Sequence, residues 1–244
     1  MSHLKSFLQI VLCALGLLSV LALPACVDEE QEKLAEAQAC LDRINEAQFS
    51  TANNCMVYLA GLDSPQANAL KCSISFVGGG ITTSRLISAY KQINNGANKE
   101  SVFIGALVFS GASAAAALNN VKSASNYCNA SGVKGLMFLA NFSVMGTTLM
   151  AEYVAAGGTV DWNNPGSGGG LTINEATLTT AVNNCAAGTG SCDYAAVGNA
   201  VTILSQSYCT GSNKDQEICK DVNNAIIAAG GDPVALAQKF FSQL

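Results

Sequence analysis

The sequence predicts an all-α, disulfide-stabilised fold, either a multi-helix bundle or an irregular α-solenoid of antiparallel helices. Three observations carry the prediction. Apolar residues recur at spacings of three and four, as in Leu34, Ala37, Leu41 and Ile44 or in Leu86, Tyr90 and Ile93, and they rarely alternate. Helix starts and stops punctuate the chain at short intervals, and short connections make neighbouring helices antiparallel. Eight cysteines beyond residue 26 form an even set suited to bridging.

In chain order, helices are expected at 28–47, 51–61, 65–77, 83–94 and 99–121, the last with a candidate break at Ser110-Gly111. Further helices are expected at 123–129, 133–156, 173–184, 194–208, 215–229 and 233–243. Ser64-Pro65 and Asp232-Pro233 each place a capping oxygen before a proline at the first helical position. Thr172-x-x-Glu175 has the form of a capping box. Gly78-Gly79-Gly80, Gly157-Gly158 and Gly230-Gly231 mark ends, because glycine allows the left-handed turn that closes a helix. Internal repetition is faint: Asn53-Asn54-Cys55 recurs as Asn183-Asn184-Cys185, and Tyr127-Cys128 as Tyr208-Cys209.

Composition narrows the function. Of 244 residues, 12 are Lys or Arg and 17 Asp or Glu, giving a net charge of −5 with 12% charged and 50% hydrophobic residues. Soluble domains average about 25% charged, and disorder requires high charge with few apolar groups, so the chain is expected to fold. An acidic balance offers no Lys/Arg surplus for phosphates, which argues against nucleic acid as a partner. The single histidine is His3, in a segment expected to be removed. Imidazole-based catalysis and His-ligated metals are then not expected in the mature chain.

Behind Lys5, residues Leu8 to Ala25 form an apolar run that ends Leu23-Pro24-Ala25-Cys26, followed by Val27-Asp28-Glu29-Glu30. A positive start, an apolar core and small residues at a cleavage point are the parts of a secretory signal. Leu23-Pro24-Ala25-Cys26 resembles the lipobox of bacterial lipoproteins. That resemblance implies cleavage after Ala25 and a diacylglyceryl lipid with a further acyl chain such as palmitate on Cys26; apart from this lipid no cofactor is expected. Val27, standing where an Asp would mark inner-membrane retention, implies the outer membrane, on its periplasmic or surface face. Several acyl chains provide the anchoring that one chain cannot, at about 0.8 kcal/mol per buried methylene. The expected organisation is a cleaved signal over 1–25, the lipidated cysteine and an acidic tether over 26–36, and one helical domain over 37–244.

Exported chains retain disulfides. The eight remaining candidates are Cys40, Cys55, Cys72, Cys128, Cys185, Cys192, Cys209 and Cys219, and none are spaced as CxxC. Cys185 and Cys192 bracket a tight glycine-containing loop, and Cys209 and Cys219 bracket a helix junction, so these are the safest pairs. Cys40 with Cys55, leaving Cys72 with Cys128, completes one scheme; Cys55 with Cys72 is the rival.

Ser101–Val121 and Gly135–Ala151 contain no charge. They are expected to be the buried centre of the bundle, with Phe103, Leu107, Phe138 and Leu149 in its core; the alternative is a membrane-inserting hairpin. Reactive motifs are scarce. Ser88-Ala-Tyr-Lys91 fits S-x-x-K but lacks the accompanying elements of the penicillin-binding enzymes. Asp161-Trp162-Asn163-Asn164-Pro165-Gly166 opens like a calcium loop, yet position twelve is Thr172, so no metal site is expected. The same long loop holds the only tryptophan, and Asp161, Trp162 and Asn163 are its candidate ligand contacts. The expected function is a non-enzymatic, lipid-anchored envelope protein acting as an interaction or assembly module, with an envelope protein or a second copy as partner. The alternative is a helical ligand-binding accessory lipoprotein that holds a small or lipidic molecule, as in periplasmic solute transport.

Overall fold

A computed structural model describes residues 29–94, 99–163, 165 and 173–242. The signal, Cys26 and part of the Gly157–Leu171 loop lie outside the described residues. Two units divide the chain, Met1–Lys33 and Leu34–Leu244. In the first, Lys33 Nζ donates to Glu29 Oε1 at 2.7 Å, one helical turn back.

Every regular element among the described residues is helical. They are α1 (Glu29–Leu41), a 3-10 segment (Glu46–Leu59), α2 (Pro65–Gly78), α3 (Thr83–Asn94), α4 (Lys99–Ala106) and α5 (Ala114–Ser131). Then follow α6 (Lys134–Ala155), α7 (Glu175–Ala187), α8 (Tyr194–Ser207), a 3-10 turn (Gly211–Asn213), α9 (Glu217–Ala229) and α10 (Pro233–Phe241). Caps appear where side-chain oxygens precede helices: Ser64 Oγ accepts from Ala67 N at 3.1 Å, and Asp232 Oδ1 accepts from Val234 N at 3.0 Å. Before α7 the cap is Asn174, whose Oδ1 accepts from Thr177 N at 3.1 Å, in place of the expected Thr172 box. Thr172 lies outside the described residues.

Helix α6 is the hub, packing against α4, α5, α7 and α8. Residues 143–150 are buried without interruption, the pattern of a helix covered on all sides. Beyond α5 lies α2, and beyond α8 lie α9 and α10. The main core joins these layers, while Ala37, Cys55, Leu59 and Ile74 form a smaller cluster under the 3-10 segment. No helix among the described residues is long and apolar enough to cross a membrane.

The structure corrects several expectations. Residues 99–121 are broken at Ser110-Gly111 as the sequence suggested, but the break begins earlier and is longer. Helix α4 stops at Ala106, and Leu107, Val108 and Phe109 run through the interior at 1%, 0% and 0% exposure. Buried backbone must find partners, and tertiary ones are supplied: Phe109 N donates to Thr147 Oγ1 at 3.1 Å, and Ser110 N donates to the Gly79 carbonyl at 2.8 Å. Gly79 has to be glycine, since a Cβ there would stand 2.4 Å from the Phe109 ring. Ser113 then caps α5 by accepting from Ala116 N at 3.2 Å. That helix passes through the expected break at 122 and ends at Gly132, whose φ of +69° suits glycine.

At the other end, α1 stops at Leu41 instead of 47, where Arg43 N and Ile44 N bond three residues back and tighten the turn. The expected α-helix over 51–61 is the 3-10 segment Glu46–Leu59. Its Thr51 hydroxyl donates to the Gln48 carbonyl at 2.8 Å, a local bond that competes with α-helical pairing. Helix α3 turns Arg85 and Ala89 inward and leaves Leu86 37% exposed. Of the expected core, Leu107 and Leu149 are buried at 1% each, whereas Phe138 is only partly buried, its ring 4.3 Å from that of Tyr208. The Phe103 side chain lies outside the described residues.

Four disulfides staple the layers: Cys40–Cys55, Cys72–Cys128, Cys185–Cys192 and Cys209–Cys219, with Cα separations of 5.6, 4.9, 5.7 and 5.2 Å. The rival Cys55–Cys72 pair does not form. Cys72–Cys128 closes the longest loop, spanning 56 residues between α2 and α5, and Cys185–Cys192 the shortest, spanning 7. Loop-closure entropy therefore ranks them. Replacing Cys72 and Cys128 together by Ala should cost about 4 kcal/mol in urea melts, against about 2.5 kcal/mol for Cys185 with Cys192. An inverted order would show that chain entropy does not govern the stapling.

Candidate functional site

Helices α5, α6 and α8 enclose a groove of about 410 Å³. Helical spacing aligns the lining of its first wall: Lys122, Ser125, Asn126 and Asn129 fall three or four residues apart on one face of α5. Asn141 and Val144 of α6 form the floor, at 1% and 3% exposure. Across from α5, α8 contributes Asn199, Thr202 and Ile203, with Ala196 and Ala200 beneath them.

The floor is satisfied internally. Asn141 Nδ2 donates to Asn129 Oδ1 at 3.0 Å and to the Met137 carbonyl at 2.7 Å. Ser125 Oγ donates to Asn141 Oδ1 at 3.3 Å, and Asn129 Nδ2 donates to Ser125 Oγ at 3.2 Å. This closed ring holds three side chains in fixed orientations, as a fully paired buried network does. The rim differs. Asn126 and Asn199 are exposed, and their carboxamides make no hydrogen bond within the described residues.

Lys122, on the groove wall, pairs with Asp193 Oδ2 across to the start of α8. Asp193 Oδ1 also accepts from Ala196 N at 3.0 Å, capping that helix. Partial burial pushes the Asp193 carboxyl up, but the Lys122 hydrogen bond, the Ala196 N–H and the lysine charge together outweigh it. Its pKa lies below the ordinary aspartate value as a result.

Two further buried polar side chains act outside the groove. Glu152 of α6, 3% exposed, accepts from Asn184 Nδ2 at 3.0 Å and from Ser191 N at 2.7 Å, so it grips the loop that Cys185–Cys192 closes. Arg85, 8% exposed, donates to the Gly80 and Gly105 carbonyls at 3.1 and 2.5 Å, clamping the ends of α2 and α4. Its burial lowers the guanidinium pKa to about 10, which leaves it charged at neutral pH.

The loop singled out from sequence lies elsewhere. Trp162 packs partly buried against the main core, and its carbonyl accepts from Gly111 N at 2.7 Å. Asp161 and Asn163 flank it exposed, joined by a bond from Asn163 N to Asp161 Oδ1 at 3.1 Å. None of the three lines the groove. Ser88 and Lys91 stand exposed on α3. The eight cysteines are the bridges described above, and Cys26 lies outside the described residues. Among the described residues, no group of three or more His, Cys, Asp or Glu is arranged to hold a metal ion.

Sequence reasoning passed over Asn126, Asn129, Asn141, Asn199, Lys122 and Glu152. A signal existed for some of them. Lys122 and Glu152 are the first charges after the two uncharged stretches, and the polar stripe at 122, 125, 126 and 129 has helical spacing.

Since its carboxyl is held low in the folded state, Asp193 stabilises the fold above the unfolded carboxyl value, near pH 4, and loses that contribution as pH falls through the lower folded value. Asp193→Asn keeps a capping oxygen but removes the charge. Thermal melts from pH 6 to pH 2 should show the parent losing more stability than the variant below about pH 4. Parallel curves would mean that the Lys122 pairing does not stabilise the fold.

No family model, curated protein or solved structure matches this chain.

Proposed function

We propose that this chain is a non-enzymatic protein anchored at the bacterial outer membrane by lipid on Cys26. It acts as an interaction or assembly module and receives its partner in the groove between α5, α6 and α8. The observation that carries this reading is the pair of uncommitted carboxamides, Asn126 and Asn199, set on opposite walls above an internally paired floor. Such a floor is preorganised, so little ordering entropy is lost on binding. The lining chemistry suits holding more than turnover, because carboxamides and hydroxyls bind without taking or giving up a proton near neutral pH. The groove's one ammonium, on Lys122, is already engaged by Asp193. Support for the anchor is the order of residues Leu23-Pro24-Ala25-Cys26 behind an apolar run.

A second reading, a ligand-binding accessory lipoprotein, is favoured by size. A volume near 410 Å³ falls within the range of small-molecule sites, about 300–1,000 Å³. The amide lining then suits a small polar molecule better than a lipidic one.

Native mass spectrometry of delipidated protein separates these readings. A defined multimer or a copurified protein supports the module, and a retained small mass supports the accessory role. The anchor is tested independently. Cys26→Ala should shift the protein from the detergent-extracted membrane fraction to the soluble fraction and abolish labelling by a fatty-acid analogue. Unchanged partitioning and labelling would refute lipidation.

A further inference from the structure

We infer that the groove recognises an uncharged, extended polypeptide segment of its partner, chiefly through the segment's main chain. This rests on the groove being the interaction site proposed above and names the chemistry it accepts. Each side-chain carboxamide presents one acceptor oxygen and an N–H₂ donor in a single plane. In an extended chain, the N–H and C=O of one residue point to the same side, and those of the next residue point to the opposite side. A strand lying between α5 and α8 therefore offers alternate residues to Asn126 on one wall and to Asn199 on the other. Each carboxamide then pairs with both main-chain groups of one residue, as a neighbouring strand does.

The remaining lining agrees with that occupant. Val144 on the floor and Ile203 on the α8 wall provide an apolar seat for small side chains. Lys122 is neutralised by Asp193, so the groove carries no surplus charge to attract phosphate or an acidic peptide. Among the described residues no aromatic ring lines it, and the face-stacking surface that an aromatic side chain offers a sugar ring is not provided there. The floor amides are committed to one another, which leaves the two rim carboxamides to select the ligand.

Recognition through the main chain tolerates sequence, so a generic probe is a fair test. The lipidated protein in detergent micelles is titrated with a dye-labelled Ser-Val-Ser-Val-Ser-Gly amide and followed by fluorescence polarisation. Saturable binding is expected. Asn126→Ala and Asn199→Ala should each weaken it about tenfold, since each removes one paired set of hydrogen bonds. Both residues are exposed, so the variants should keep the parent's melting temperature. Methylating the peptide nitrogens at alternate residues should weaken binding by a similar factor with the side chains unchanged. An unlabelled N-acetylglucosamine trimer should not compete. Displacement of the probe by the trimer, or binding indifferent to N-methylation, would overturn the polypeptide assignment while leaving a functional groove in place. Absence of peptide binding would overturn it as well. In that case native mass spectrometry of the Asn126→Ala, Asn199→Ala double variant decides the wider reading: a partner still retained shows that the groove is not the interaction site.

Discussion

Residues 143–150 of α6 have no solvent-facing side, so every position around that helix must be covered by another element. This constraint organises the molecule. An isolated helix of such composition would expose apolar surface on all faces, at a cost of about 25 cal/mol per Å². Four helices pack against it, and each then has an outer face that needs its own cover. Helix α2 backs α5, and α9 and α10 back α8. Layering outward from one enclosed helix explains why a chain with so few charges needs so many short elements.

Full enclosure creates a second problem, because α6 carries polar groups inward. Asn141, Ser143, Thr147 and Glu152 are all buried. Ser143 Oγ donates back to the Leu139 carbonyl at 2.8 Å, and Thr147 Oγ1 accepts from Phe109 N. Glu152 accepts from Asn184 and Ser191, and Asn141 joins the ring with Ser125 and Asn129. Each pairing avoids the penalty of about 1–3 kcal/mol for a buried unsatisfied group. Among the described residues, Thr148 Oγ1 and Arg85 Nε have no such partner. The polar residues also set direction. Thr147 fixes where the chain crosses between α4 and α5, and Asn141 fixes the face on which α5 and α8 leave a groove.

The centre of this arrangement was legible in the sequence because it is written in absence of charge. Gly135–Ala151 read as enclosed, and residues 143–150 are buried throughout, whereas 135–139 are exposed or half-buried; most helix positions followed from local caps and spacing. Ser101–Val121 is equally uncharged and signals a break at Ser110-Gly111, but it folds as a helix ending at Ala106, a longer buried non-helical passage and a second helix from Ala114. What distinguishes them is tertiary: the Ser110 N–H is satisfied by the Gly79 carbonyl from a distant turn, and no local pattern encodes that bond. The loops that the cysteines bracket suggested the two short bridges, while Cys72–Cys128 followed only as the remainder once Cys40 was matched with Cys55, and the structure decides it against the rival Cys55–Cys72. The groove was least legible. Its rim consists of two asparagines on separate helices tied directly by the Lys122–Asp193 pair described above, whereas the lone tryptophan that drew notice packs its loop against the core.

The groove's walls are also the most cross-linked parts of the fold. Cys128 ties α5 to α2 at the residue before Asn129. Helix α8 is bridged just outside both ends, by Cys192 before Tyr194 and by Cys209 after Ser207. Its first turn is held twice more, through Asp193 to Lys122 of α5 and through Ser191 to Glu152 of α6. Three elements that line one cavity thus converge on residues 191–193, where covalent, ionic and hydrogen-bonded ties coincide. A displacement of about 1 Å at that junction would carry Asn199 with it, because the helix between them is rigid. Closing Cys185–Cys192 therefore does more than shorten a loop: it anchors the segment that leads into α8, the helix that carries Asn199.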